Sequence, residues 1–261
     1  MKSQVKILLI LFLVLVAVFA YASFWNGDND ENIIKKISLS ELTENVSLDD
    51  DTVALSENDS MLTAKQQPEV SPLDTTPQNI LLFGESMVEG LARPFADYCT
   101  SNGHHFNSVC WYSSTTKHWA KTDTLRYFLN KYNPSYVLIS VGGNEQFVKD
   151  LDVREKYIKQ MLEMLEGRKV VWIGTPAWKQ DTGINELTQK IVGKDRYFDS
   201  RNLKLDRRSD HAHPTPKAAC VWMDSIAAWI RSDANRNPII LEKNDQHAKS
   251  KNLTILQPMN L

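Results

Sequence analysis

Short apolar runs and helix-spaced apolar positions take turns along the middle of the chain. Ile80, Leu81, Leu82 and Phe83 make a strand-length run that stops at Gly84. Val88, Leu91, Phe95 and Tyr98 then recur at helical spacing, which predicts a strand over 79–83 and a helix over 87–101. The alternation continues with strands at 106–111, 136–141, 169–174 and 196–199. Between and after them, helices are expected at 121–131, 153–166, 184–192 and 215–230. Val137-Leu138-Ile139 and Val170-Val171-Trp172-Ile173 are nearly continuous apolar runs, as expected of strands covered on both faces. Strands alternating with helices argue for an α/β fold, a parallel sheet with helices on both sides, over 78–232.

The ends of the chain read differently. Lys2 and Lys6 precede an uncharged run from Ile7 to Trp25, about 19 residues, just long enough to span a bilayer as a helix. Asp28, Asp30 and Glu31 follow it, so the basic flank is expected in the cytoplasm and the rest of the chain outside. Ala20-Tyr21-Ala22 resembles a signal-peptidase site, so residues 1–25 are either an uncleaved anchor or a cleaved signal. The anchor is favoured because the apolar run continues past Ala22. Either way the rest of the chain is placed on the periplasmic or extracellular side, membrane-tethered or secreted. Residues 26–77 are acidic and polar, with too few apolar side chains to offset ordering entropy, and read as a disordered linker. Residues 233–261 read as a loosely docked polar tail, with a further edge strand as the alternative.

Composition narrows the function. A formal net charge of -2 gives no sign of a general nucleic-acid binder. The cysteines are Cys99, Cys110 and Cys220, and no Cys or His spacing suggests a metal site. Export would permit a Cys99–Cys110 disulfide; buried free thiols are the alternative.

Three stretches carry candidate chemistry. Gly84-Glu85-Ser86 puts a serine at a strand-to-helix turn, where open α/β folds place ligands and a helix N-terminus favours developing negative charge. The competing role for that serine is a helix cap. Ser140-Val141-Gly142-Gly143-Asn144 ends a buried strand in two glycines, which allow close approach of a ligand at Gly143. The amide of Asn144 is a neutral donor of the kind an oxyanion hole needs. Asp210 and His213 stand three apart just before Pro214 and a helix. An aspartate accepting from one ring nitrogen leaves the other as a general base. His211 is a competing base, less well placed because it adjoins Asp210.

In this order, Gly-x-Ser-Met, Gly-x-Asn-Glu and Asp-x-x-His-Pro resemble the SGNH hydrolases, also called the GDSL esterase family, over about 80–230. The resemblance implies a three-layer α/β/α sandwich close to the flavodoxin type. It implies Ser86 as nucleophile, His213 as base and acid, and Asp210 as its orienting carboxylate. The oxyanion would be held by the backbone of Ser86, by Asn144, and by a second-block residue best matched by Ser114. The family has a glycine at that second-block position, and Asp where this chain has Glu85. Trp178, together with Trp111, Tyr112 and Trp119, is expected either to form an apolar or sugar-stacking wall or to pack in the core. Asn185 is a candidate substrate contact. The expected activity is removal of O-acetyl or other acyl groups from a glycan, a cell-envelope polymer or a small ester, with no metal or cofactor. Acyl transfer to a sugar hydroxyl, and a catalytically weak glycan-binding protein on the same fold, are the alternatives.

Overall fold

The computed structural model describes residues 71–261. The expected anchor or signal and all but the end of the expected linker lie outside the described residues. Among the described residues no helix is long and apolar enough to cross a membrane.

Among the described residues, six parallel strands form one sheet in the order β5-β4-β3-β1-β2-β6. They are β1 (Asn79–Gly84), β2 (His105–Trp111), β3 (Tyr136–Ser140), β4 (Lys169–Ile173), β5 (Tyr197–Phe198) and β6 (Leu253–Leu256). The helices are α1 (Met87–Ser101), α2 (Thr116–Lys121), α3 (Thr124–Tyr132), α4 (Leu151–Met164), α5 (Ile184–Val192) and α6 (Pro216–Ile230). The continuous apolar runs divide by strand period. Ile80, Leu82, Tyr136 and Leu138 pack with α1 and α6, while Leu81, Phe83, Val137 and Ile139 pack with α2 to α5. This makes three layers and accounts for strands with no polar face.

The chain leaves β1 for β2 on one side and returns to β3 on the other. Loops at the ends of β1 and β3 therefore diverge around a crevice, the place where such sheets bind ligands. Gly84 lets the two ends close up, since a Cβ there would run into the Ser140 carbonyl oxygen.

Three expectations change. The helix expected over 121–131 starts at Thr124 as α3, and an unexpected helix, α2, precedes it; Thr122 adopts an extended conformation between the two, its hydroxyl donating to the His118 carbonyl. The segment 233–261 is not a loosely docked tail; it supplies the edge strand of the alternative reading. Ile239 and Leu241 are fully buried beside α6, and β6 pairs with β2 in register Ser108↔Leu253 to Trp111↔Leu256. Its apolar patches are short but each finds a buried partner. The last residues of the expected linker also dock: Asp74 bridges to Ile239 and its carboxylate accepts from Lys169 at 2.7 Å. All three cysteines are free, Cys99 and Cys110 buried and Cys220 exposed.

Candidate active site

Ser86 sits between the end of β1 and the first turn of α1. It has the helix N-cap position, yet its side chain makes no capping hydrogen bond. Its hydroxyl instead lies 2.7 Å from Nε2 of His213. Nδ1 of His213 lies 2.9 Å from Oδ2 of Asp210. A carboxylate can only accept, so Nδ1 carries the proton and Nε2 presents its lone pair to the serine. The three predicted side chains are thus joined in one hydrogen-bonded line across 127 residues of sequence.

The base stands on a tight hairpin. Arg208 N–H donates to His213 O at 2.8 Å and Thr215 N–H to Asp206 O at 2.8 Å. Oδ1 of Asp210 accepts the N–H groups of Ala212 and His213, both at 2.9 Å. Those two donors, ahead of the imidazole, hold the Asp210 carboxyl down to about 2, so it stays ionised through the physiological range. The Arg207 guanidinium clasps the hairpin from below, donating to the carbonyls of Ala212 and Pro176. His211 is exposed, in the left-handed region (φ 60°), and takes no part in the line to Ser86.

The opposite wall is built by Glu85, which is 1 % exposed. Its two oxygens accept the backbone N–H groups of Gly143 at 2.8 Å and Asn144 at 2.9 Å. Burial pushes the Glu85 carboxyl up to about 8 against the pull of those two donors. The residue before the serine thereby clamps the turn that carries Asn144. Gly143 is required because a Cβ would strike Glu85 Oε1. Glu145, equally buried, accepts the N–H and hydroxyl of Thr116, both at 2.8 Å, and fixes the start of α2. One amide proton of Asn144 goes to Ser114 O at 2.9 Å, which leaves the second for a ligand.

A cavity of about 440 Å³ opens between these walls, lined by Ser86, Ser113, Asn144 and His213 among others. It brings the predicted triad and Asn144 together but corrects four other assignments. Ser114 is fully buried and its N–H already donates to Trp111 O, so it is no oxyanion donor. Its neighbour Ser113 faces the cavity in the left-handed region (φ 58°), and among the described residues its N–H has no acceptor. That conformation is one that glycine adopts freely. Gly143 spends its N–H on Glu85 and is a packing residue. Asn185 is buried, its Oδ1 accepting from Thr175 N–H and Tyr197 OH and its amide donating to Asp181, and it does not line the cavity that holds Ser86. Trp178 lines a separate cavity of about 460 Å³ and meets Phe147 edge-on. Of the expected aromatic wall, Trp111 and Trp119 are core residues packed against each other, and only Tyr112 reaches the cavity.

Ser113, Glu89 and Arg208, which line the cavity, were not singled out by the sequence. A glycine at 113 would have flagged the left-handed position; serine gives no such signal. Glu89, one turn after Ser86, and Arg208, beside the Asp-x-x-His stretch, have spacing as their only signal.

No family model matches the chain, and no curated protein is similar to it. Among solved structures, the psychrotrophic esterase EstA from Pseudoalteromonas sp. is 16% identical, at a TM-score of 0.46 over 58% of this chain and 96% of that one. An acetyl xylan esterase is 17% identical, at 0.47 over 57% and 98%. A Desulfitobacterium hafniense DCB-2 protein described as lipolytic and of the G-D-S-L family is 15% identical, at 0.44 over 57% and 98%.

Proposed function

We propose that this chain is a serine ester hydrolase of the SGNH type. The unbroken line from the Ser86 hydroxyl through His213 to Asp210, at 2.7 and 2.9 Å, carries the reading. Ser86 Oγ attacks the ester carbonyl carbon while His213 Nε2 takes the hydroxyl proton. The oxyanion is held by the N–H groups of Ser86 and Ser113 and the free amide proton of Asn144. Collapse of the tetrahedral intermediate breaks the bond to the alcohol oxygen, which leaves with the proton from His213. Water, deprotonated by the same imidazole, then attacks the acyl-enzyme, and the acid and free serine are released.

The finer reading is an O-acylated glycan or envelope polymer as substrate, reached by an exported domain tethered through residues 7–25. The apolar run with its basic and acidic flanks supports the tether; Glu89, Tyr112, Asn144 and Arg208 in the cavity lining support a polar alcohol. The test is intact-mass analysis of the full chain after a fluorophosphonate probe, with the adduct mapped by peptide sequencing. Loss of fluoride should leave one phosphonyl group on Ser86, and none on Ser86→Ala. Labelling elsewhere, or equal turnover of p-nitrophenyl acetate by parent and Ser86→Ala, would remove the reading.

A further inference from the structure

Glu89 lies three residues beyond Ser86, one turn along the same face of α1. Its Oε2 accepts the hydroxyl of Tyr112 at 2.9 Å, and both side chains line the cavity that holds the triad. Among the described residues, Oε1 of Glu89 has no partner. A carboxylate in the first turn of a helix suits the helix dipole. That accounts for an acid at this position, but not for a tyrosine hydroxyl turned onto it in the cavity wall. Arg208 reaches the same cavity from the hairpin, opposite His213.

The rest of the lining limits what the cavity can hold. Met87, Gly90 and Pro214 give the lining its apolar part, and each of the other residues brings a polar group. The charged side chains are two carboxylates, Glu89 and Asp210, against the one guanidinium of Arg208, which disfavours an anionic ligand. A carboxylate oxygen with free acceptor capacity, a phenol and a guanidinium suit a set of neighbouring hydroxyl groups.

We infer that Glu89, with Tyr112 and Arg208, binds the hydroxyls of a neutral, polyhydroxylated alcohol, and that Glu89 determines this specificity. The inference rests on the serine-hydrolase reading for its chemistry but not for its binding. It is tested on the full chain in two arms. The first compares kcat/KM for a methyl glycoside monoacetate with two free neighbouring hydroxyls against p-nitrophenyl acetate. The ratio should fall about tenfold in Glu89→Gln and less in Tyr112→Phe, the scale of one lost charge-assisted hydrogen bond. A ratio unchanged in Glu89→Gln overturns the inference. The second arm titrates the unacetylated methyl glycoside onto Ser86→Ala, with and without Glu89→Gln. Binding should weaken about tenfold with the second change. If it does so while the parent resists the fluorophosphonate, the hydrolase reading fails and the binding site stands. If the parent is labelled but the glycoside does not bind Ser86→Ala, or a glycoside phosphate binds better, the inference alone fails.

Discussion

Ser86 and Asn144 stand on turns at the ends of β1 and β3, neighbouring strands near the middle of the sheet, while His213 and Asp210 stand on a hairpin at the surface. The first pair is tied by a buried glutamate that grips two backbone N–H groups. The second is tied by backbone bonds within ten residues, with 33 % of the His213 side chain and 45 % of that of Asp210 open to solvent. In the proposed reaction the first half holds the donors still, and core packing fixes it. The second half passes the protons there; local hydrogen bonds fix it and it stays in contact with water. Damage to the first should therefore appear in stability as well as rate, and damage to the second in rate alone.

The largest effect expected is at the surface half. His213→Ala should lower kcat by roughly 10⁴–10⁶, the scale of removing a triad member, with the urea midpoint almost unmoved. Asp210→Asn should cost less than the roughly 10⁴ seen where such an aspartate is buried, because water here screens the charge. With the Asp210 carboxyl held at about 2, the kcat/KM profile should show no loss attributable to it above pH 4. An acid limb that disappears in Asp210→Asn would contradict that. On the sheet side, Asn144→Ala should lower kcat by about 10²–10³ as one oxyanion donor goes. It should also lower stability by about 1 kcal/mol for the bond to Ser114. A drop in rate with no drop in stability would blur the contrast between the halves.

Glu85 sharpens it through pH. Its folded value of about 8 lies above the ordinary 4.5. Between those values the folded chain holds a proton that the unfolded chain has lost, so stability falls as pH rises, by at most about 1.4 kcal/mol per unit. The cost is absent below pH 4.5 and complete above about 8. Glu85→Gln cannot ionise; it leaves one of the two backbone N–H groups without an acceptor, at about 1–3 kcal/mol. Urea midpoints from pH 5 to 9 should therefore fall for the parent and stay flatter for the variant. Parallel curves would mean that Glu85 does not titrate in this window.

The half at the strand ends was the more legible in sequence. Strand period and terminal glycines mark β1 and β3, and through them Ser86 and Asn144. Asp210 and His213 were legible by their spacing alone, since their hydrogen bonds are mostly local. What escaped depends on long-range register. Leu253–Leu256 reads as tail or edge strand until β2 is there to pair with it. Asn185 and Trp178 carry side chains suited to binding, but the sheet turns one inward onto Tyr197 and the other into a different cavity. The choice between Ser113 and Ser114 turns on one backbone angle that neither residue type advertises.

That angle gives the smallest and most discriminating comparison. Each half contains one non-glycine residue in the left-handed region, Ser113 at φ 58° and His211 at φ 60°. A side chain there costs roughly 1 kcal/mol, part of which glycine returns in unfolded-state entropy. Ser113→Gly and His211→Gly should each raise the melting temperature by about 1–3 °C. Their rates should then diverge. Ser113 follows a buried strand whose neighbours hold its N–H in place whatever the side chain, so kcat should not fall. His211 lies inside the hairpin that aims His213, with its own N–H donating to Arg208 O at 2.9 Å. Glycine there frees the loop, and kcat should drop several-fold while the fold gains. Equal rates in the two variants would mean that the hairpin is as firmly set as the sheet end, and the contrast between the halves would then rest on burial alone.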